Sequence, residues 1–258
     1  MLSIQAVPAL TDNYIWLIKS EDTDDVIIID PGESAPVISV LNEQQLTPVA
    51  ILNTHYHYDH IDGIAALVER YQLPVYGPKN SFIPKLTHPL EECQQLTIHP
   101  SFPDFQILNI PGHTAQHTGY LLDDMLFCGD TLFAAGCGRL LGGTAEQLFH
   151  SLQQICQLPS TTKVFCSHEY TLANLKFALA VEPDNDAIKQ RLITTEKQRH
   201  LEQVTLPTTL DLEFATNPFL RCEHSNVIHA ASNFSSQKLN SPLEVFTVLR
   251  SWKDHYQP

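Results

Sequence analysis

The segment Thr54–His60, with the sequence THYHYDH, contains three histidines and one aspartate within seven residues. It follows the apolar run VAILN at 49–53, which is typical of a buried strand, and it precedes a helix-like pattern. In an extended chain, side chains two positions apart point to the same side, so His55 and His57 can approach one cation. The aspartate and the last histidine lie at the turn into the helix and can address a second cation. Because imidazole and carboxylate are the usual zinc or iron ligands, the segment predicts a metal site rather than a solvated loop.

Two cations need more ligands than this segment holds, and the rest of the chain offers three candidates. They share a position after an apolar run and at a turn: His113 in IPGHT, Asp130 in LFCGDT and His168 in FCSHEY. Each residue alone could be a packed histidine or a turn aspartate, but their common setting favours a joint metal site. The other histidines lack this setting and are expected to be surface or structural residues. His117 is the one among them most easily mistaken for a ligand, since it lies near His113.

The composition indicates an acidic globular protein. The chain has 258 residues, 43% of them hydrophobic, which is enough for one large domain or for a large domain with a small one. Its formal net charge of -14 comes without a lysine- or arginine-rich run, so any anionic ligand needs a local cationic pocket. The first residues do not resemble a signal peptide, and no run approaches the ~18 apolar residues of a membrane span. The six cysteines form no C-x-x-C pair, which favours reduced thiols in a cytoplasmic protein.

Short apolar runs alternate with helical patterns over the first two thirds of the chain, which predicts an α/β fold. Strands are expected at 14–19, 26–30, 49–53, 105–110 and 163–167. Helices are expected at 60–71, 144–158, 171–182, 186–204 and 242–256, with an irregular segment at 207–221. Thr144 and Gln147 have the capping-box spacing at the start of the second helix. The strand signal fades near residue 170, so we predict an α/β catalytic domain at 1–170 and a helical domain at 171–258.

The motifs THYHYDH, PGHT, GD and SHEY, in this order, resemble the metallo-β-lactamase superfamily, whose fold is an αββα sandwich with a dinuclear metal site. The resemblance implies a complete ligand set: His55, His57 and His113 for the first metal, Asp59, His60 and His168 for the second, and Asp130 as the bridge. It also implies that Asp59 and Asp130 are the catalytic carboxylates. Asp30 in IIIDPG matches an early aspartate of the superfamily that supports the site, although alone it reads equally well as a turn residue.

The second half of the chain indicates the class of substrate. The segments at 127–148, 166–185, 215–221 and 249–254 resemble glyoxalase II, the hydroxyacylglutathione hydrolase family. This resemblance implies four residues that contact the glutathione moiety: Arg139, Tyr170, Arg250 and Lys253. It also places Leu141 where relatives often carry an aromatic residue. In physical terms, Arg250 and Lys253 share a helix face and could bind a carboxylate, or could only complement the dipole at the helix C-terminus.

The expected reaction is hydrolysis of S-(2-hydroxyacyl)glutathione thioesters, in particular of S-D-lactoylglutathione to D-lactate and glutathione in methylglyoxal detoxification. Two divalent metal ions, zinc or else iron or manganese, would share the attacking hydroxide, because coordination lowers the pKa of water to about 7. The expected partner is a small-molecule glutathione thioester, without nucleic acid or membrane, and the protein is expected to be a monomer.

Three alternative functions stay open at this point. The first is a glutathione-persulfide dioxygenase with a mononuclear iron site, which metal counting and an anaerobic assay would identify. The second is a nucleic-acid-processing nuclease, against which the acidic charge counts and which steeply salt-dependent RNA binding would support. The third is a non-enzymatic module that binds metal or glutathione without turnover.

Overall fold

The computed structural model describes residues 1–80, 82–91 and 95–256. The chain divides into two compact units. The first consists of Met1–Asn109 and Gln116–Gly129, and the second of Ile110–Ala115 and Asp130–Pro258. This division differs from the predicted domain boundary near residue 170, which stays a prediction.

The first unit is built on a six-stranded sheet in the order β1-β2-β3-β4-β5-β6. Its strands are β1 (Leu2–Ala9), β2 (Asn13–Ser20), β3 (Asp25–Ile29), β4 (Thr47–Leu52), β5 (Val75–Pro78) and β6 (His88–Leu90). Strands β1 to β3 pair antiparallel, and strands β3 to β6 pair parallel. Parallel neighbours need crossover connections. These contain α1 (Ser34–Gln44) between β3 and β4, and α2 (Tyr58–Ile61) with α3 (Ile64–Tyr71) between β4 and β5.

The parallel strands β3 and β4 are buried along both faces. Consecutive residues Ile27 and Ile28 are fully buried, as are Ala50 and Ile51 on the neighbouring strand. Near-continuous apolar runs are typical of strands that are covered on both sides, which is why VIII and VAIL carry no polar alternation. The carboxyl end of β4 is therefore held rigidly, and the segment that follows it, with the motif THYHYDH, starts from a fixed point.

The first unit also contains an antiparallel meander of four strands. They are β7 (Gln95–Leu96), β8 (Phe105–Asn109), β9 (Thr118–Leu122) and β10 (Met125–Gly129). Consecutive strands pair in this order.

The second unit consists mainly of helices. Its strands are β11 (Leu132–Phe133) paired with β12 (Gly136–Cys137), and β13 (Lys163–Cys166) paired with β14 (Thr208–Thr209). Its helices are α4 (Ala145–Ile155), α5 (Thr171–Val181), α6 (Asp186–His200), α7 (Leu210–Thr216), α8 (Ser225–Ser235) and α9 (Pro242–His255), with a 3₁₀ turn at Pro218–Leu220. Buried Leu175 and Ala178 of α5 pack with Ile188 of α6. No helix among the described residues combines the length and the apolar character needed to cross a membrane.

All five predicted strands overlap observed ones, but the predictions for one helix and for one irregular segment need correction. The predicted helix at 60–71 is divided into α2 and α3, because Gly63 donates its N–H to the carbonyl of Pro31 at 2.8 Å. A Cβ at Gly63 would lie 2.5 Å from that carbonyl oxygen, so the chain must carry glycine there. The expectation that 207–221 is irregular is wrong, since this segment forms β14, α7 and the 3₁₀ turn.

The predicted capping box of α4 is confirmed. The Thr144 hydroxyl accepts a hydrogen bond from the Gln147 amide at 3.1 Å, and the Gln147 side chain accepts one from the Thr144 amide at 2.9 Å. Thr144→Ala is expected to lower the free energy of unfolding by about 1 kcal/mol in urea titrations, because one helix N–H loses its acceptor. The exposed Thr161→Ala serves as the matched control. Equal stability of the two variants would contradict a stabilising cap.

Candidate active site

The four predicted ligands of the motif THYHYDH lie together in the first unit, His55 and His57 after the end of β4 and Asp59 and His60 within α2. His55 and His60 are fully buried, and their rings lie 4.1 Å apart between centroids. His55 Nε2 is 3.0 Å from His57 Nδ1. His60 Nε2 is 3.5 Å from Asp59 Oδ2. Each predicted pair thus lies within the distance expected of two ligands, and His55 also lies against His60. Which ion each residue binds stays a prediction.

The separations within these pairs fit ligands of a common ion. Two ligand atoms about 2.0–2.1 Å from one tetrahedral metal ion lie about 3.3 Å from each other. The nitrogen–nitrogen and nitrogen–oxygen distances in the two pairs, 3.0 and 3.5 Å, lie on either side of this value. Asp30, His55 and His60 also offer ligand atoms within 4.8 Å of one another.

Asp30 is arranged as a hydrogen-bond acceptor rather than as a ligand. Its Oδ1 accepts from the Thr54 amide at 2.7 Å and from the Asn53 side chain at 3.1 Å. Its Oδ2 accepts from the Thr54 hydroxyl at 2.6 Å and lies 3.1 Å from His60 Nδ1. Since a carboxylate accepts, His60 Nδ1 carries the proton, and its Nε2 keeps a lone pair for a metal. Asp30 itself has φ +51°, a conformation that aspartate tolerates better than most residues.

Two further residues support the site: Asn13, which no sequence motif indicates, and His117, which is expected from the sequence to be a surface or structural residue. The Asn13 side chain donates to Asp59 Oδ2 at 3.0 Å and so fixes the carboxylate beside His60. His117 is fully buried and stacks on His55, with ring centroids 4.7 Å apart and planes 16° apart. It is therefore a structural histidine rather than a surface one. Asn13 contacts a residue 46 positions away, and no local pattern marks it.

The other three predicted ligands lie together in the second unit. Asp130 Oδ2 is 3.4 Å from His113 Nε2 and 3.4 Å from His168 Nε2, and all three residues are buried. These two distances again match the spacing of ligands around one ion. A carboxylate oxygen placed between two imidazole nitrogens is also what the predicted bridging role of Asp130 requires.

The loop 137–139 orients His113 in the same unit. His113 Nδ1 is 2.7 Å from the carbonyl oxygen of Arg139. Because a carbonyl can only accept, Nδ1 carries the proton and Nε2 is left as a metal ligand. The loop lies so close that a Cβ at Gly138 would meet the Asp130 carbonyl at 2.0 Å and His113 at 3.1 Å, which explains the glycine.

The four predicted glutathione-contacting residues line one cavity of about 270 Å³ in the second unit. Its walls are formed by Phe133, Cys137, Arg139, Tyr170, Ala173, Asn174, Arg250, Lys253 and Asp254. The Tyr170 ring stacks on the His168 ring with centroids 4.7 Å apart and planes 5° apart. One lining residue of the cavity therefore packs directly against a predicted metal ligand. Leu141 is 47% exposed and does not line it.

Three cationic side chains line the cavity, those of Arg139, Arg250 and Lys253, and two of them are buried or partly buried. Arg250 is 4% exposed and donates from Nη1 to the carbonyl of Cys137 at 2.8 Å, rather than to the C-terminal carbonyls of its own helix. Its Nε is buried without a hydrogen-bond partner. The pKa of the Lys253 ammonium is lowered, first by burial and then by the charge of Arg250. An anionic ligand group would satisfy both cations.

The buried thiols of Cys137 and Cys166 are poor candidates for nucleophiles. Burial raises the pKa of Cys137 to about 11, although Arg250 acts in the opposite direction. Burial likewise raises the pKa of Cys166 to about 12. Both thiols are therefore neutral near pH 7, and covalent thiol catalysis is disfavoured.

Two family models together match almost the whole chain. The model of the metallo-beta-lactamase superfamily matches residues 10–168. The model described as the hydroxyacylglutathione hydrolase C-terminus matches residues 169–256.

Comparison with individual proteins gives the same assignment. The hydroxyacylglutathione hydrolase of Nitrosomonas eutropha is 46% identical over 257 residues, covering 100% of both chains. Among solved structures, TTHA1623 in a di-iron-bound form is 28% identical with a TM-score of 0.60, covering 83% of this chain and 98% of that one. ETHE1 from Myxococcus xanthus covers 98% of both chains with a TM-score of 0.66; at 24% identity, this likeness shows the fold alone.

Proposed function

We infer the function from the premise that the chain belongs to the hydroxyacylglutathione hydrolase family of the metallo-beta-lactamase superfamily. The predicted family is thereby confirmed, as is the predicted fold class, a metallo-β-lactamase domain followed by a helical C-terminal domain. The protein is a thioester hydrolase that converts S-(2-hydroxyacyl)glutathione to glutathione and a 2-hydroxy acid. Its proposed substrate is S-D-lactoylglutathione, which yields D-lactate and places the enzyme in methylglyoxal detoxification.

The cavity in the second unit is the observation that supports this substrate most strongly. Arg139 and Arg250 lie more than a hundred positions apart in the chain, yet both line the same cavity with Tyr170 and Lys253. Glutathione carries two carboxylates, and guanidinium groups bind carboxylates through charge-assisted hydrogen bonds. The buried Nε of Arg250 and the desolvated ammonium of Lys253 favour an anionic group at this place.

We assign the metal ligands as the family resemblance implies: His55, His57 and His113 for one ion, Asp59, His60 and His168 for the other, and Asp130 shared. Histidine nitrogens with aspartate oxygens accept zinc, iron or manganese, and we propose zinc as the first choice. The two protonated Nδ1 atoms, of His60 and His113, support the assignment because they leave Nε2 as the ligand. When bound, two such ions lower the pKa of water, so that hydroxide is available to attack the thioester carbonyl.

The residues of the chain then have distinct tasks. Asp59 and Asp130 are the catalytic carboxylates, and Asn13 keeps Asp59 in one orientation. Arg139, Tyr170, Arg250 and Lys253 hold the glutathione moiety so that the thioester reaches the metal ligands. The leaving thiol has a pKa of about 8.5, so it departs as a thiolate without strong need of a general acid. This agrees with a cavity whose charged groups are mostly cations.

Removal of one cation tests the cavity. Arg139→Gln is expected to raise KM for S-D-lactoylglutathione by about five- to tenfold and to leave kcat nearly unchanged. The side chain binds the glutathione part, while the backbone carbonyl that orients His113 stays in place. Steady-state kinetics measure both constants, with the exposed Arg70→Gln as a charge-matched control. A loss of kcat at constant KM would contradict this role.

The location and assembly of the protein are also proposals. We propose a monomer in the cytoplasm, with 1–170 as the catalytic domain and 171–258 as the glutathione-binding domain. Five described cysteines are free thiols, four of them buried, which supports a reducing compartment.

Release of glutathione from S-D-lactoylglutathione by the purified, metal-loaded protein tests the function. No release would contradict it.

A further inference from the structure

A carboxylate lies among the cations of the glutathione cavity. Asp254 lines it together with Arg139, Arg250 and Lys253. One oxygen, Oδ1, lies 2.9 Å from Arg250 Nη2 and 3.6 Å from Arg139 Nε. The negative charge of Asp254 would by itself repel the carboxylates of the proposed ligand. Asp254 must therefore favour ligand binding in some other way.

The two arginines differ in how firmly they are held. Arg250 is buried, and its Nη1 is fixed on the carbonyls of Cys137 and Gly138 at 2.8 and 3.3 Å. The Arg139 side chain is 67% exposed, and its guanidinium pairs with Asp254, whose side chain is 27% exposed. Asp254 thus connects an exposed arginine to a buried one, and it also screens the repulsion between the two guanidinium groups.

We propose that Asp254 is a positioning residue that holds Arg139 over the cavity through one shared carboxylate oxygen, and thereby sets the affinity for the glutathione moiety. The inference rests on the proposed function. When an unrestrained arginine side chain binds a ligand, it loses rotamer freedom, and this loss of entropy weakens the affinity. With Asp254 in place, that restriction already exists in the free protein.

The test is a double-mutant cycle on KM for S-D-lactoylglutathione. Asp254→Asn is expected to raise KM about three- to tenfold at nearly constant kcat, the range that corresponds to freeing one rotamer-rich side chain. Asp254→Glu is expected to recover part of the affinity, because the carboxylate is retained. In the Arg139→Gln background, Asp254→Asn is expected to change KM less than twofold, since there is no guanidinium left to hold.

Glu196→Gln, an exposed charge change on α6, is the matched control. An unchanged or lower KM in Asp254→Asn would overturn the inference. So would an undiminished effect in the Arg139→Gln background, because it would show that Asp254 acts through Arg250 or through local stability alone. Absence of turnover in the unmodified protein would instead refute the proposed function, and this inference with it.

Discussion

Asp130→Ala is expected to lower kcat/KM for S-D-lactoylglutathione by at least about a thousandfold and to reduce the bound metal. Asp130 Oδ2 lies 3.4 Å from the Nε2 atoms of both His113 and His168. Removal of this carboxylate takes away the negatively charged ligand that the two proposed ions share, so each ion would be held more weakly. The bound ions would supply the hydroxide and stabilise the developing negative charge, so activity is expected to fall with the metal content.

Two measurements on the same sample distinguish this effect from misfolding. Metal content is measured by elemental analysis, and tertiary structure by near-ultraviolet circular dichroism. The exposed Asp24→Ala, in the first unit, is the control for loss of one carboxylate. His55→Ala is expected to show a similar loss from the other half of the predicted ligand set. Full activity in either ligand variant would contradict the metal assignment.

Glu213→Gln is expected to lower the free energy of unfolding by about 3–5 kcal/mol, the largest stability effect that we predict. Glu213 is fully buried, and its Oε1 pairs with Arg191 Nη2 at 2.7 Å, where Arg191 is only 9% exposed. Its Oε2 accepts hydrogen bonds from the Ala135 amide at 2.7 Å and from the Asn217 side chain at 2.8 Å. In the amide variant, the buried Arg191 guanidinium has no counter-charge, and the new NH₂ group faces N–H groups that need an acceptor.

Urea titration of both proteins measures this loss, with the m-value as a check that the compact state is unchanged. The exposed Glu223→Gln gives the reference for neutralising a surface glutamate in the same unit, where the effect is expected to stay within about 0.5 kcal/mol. A loss below about 1 kcal/mol for Glu213→Gln would show that the buried pair is easily replaced.

The proximity of the residues in THYHYDH could be predicted because its information is local. The period of an extended strand brings His55 near His57, and the turn into α2 brings Asp59 near His60. The assignment of these residues to two metal ions stays a prediction. The residues that orient these ligands could not be found in this way. Asp30 reaches His60 across 30 positions, and Asn13 reaches Asp59 across 46. Such contacts depend on how strands are arranged in the sheet, and side-chain spacing does not encode that.

The helices also contain features that depend on tertiary contacts and cannot be predicted from local sequence. Helix α1 contains Pro36 in its first turn, with valine and isoleucine around it, so its intrinsic helix propensity is weak. The burial of Val37 and Leu41 in the core of the first unit therefore decides its conformation.

The sequence leaves the role of Arg250 open, because a helix face shared with Lys253 is equally compatible with an interaction with the helix dipole. The fold brings the Arg250 guanidinium into hydrogen-bond contact with the carbonyl of Cys137, 113 residues away, and into one cavity with Arg139. The sequence does not reveal this contact.

Metal-dependent thioester turnover is the most direct test of the central claim. The measurement follows glutathione release from S-D-lactoylglutathione and metal content on one sample, before stripping, after a chelator, and after metal is returned. We predict that activity and about two ions per chain are lost together and restored together. Full turnover in metal-free protein, or a metal-loaded protein without turnover, would contradict the account.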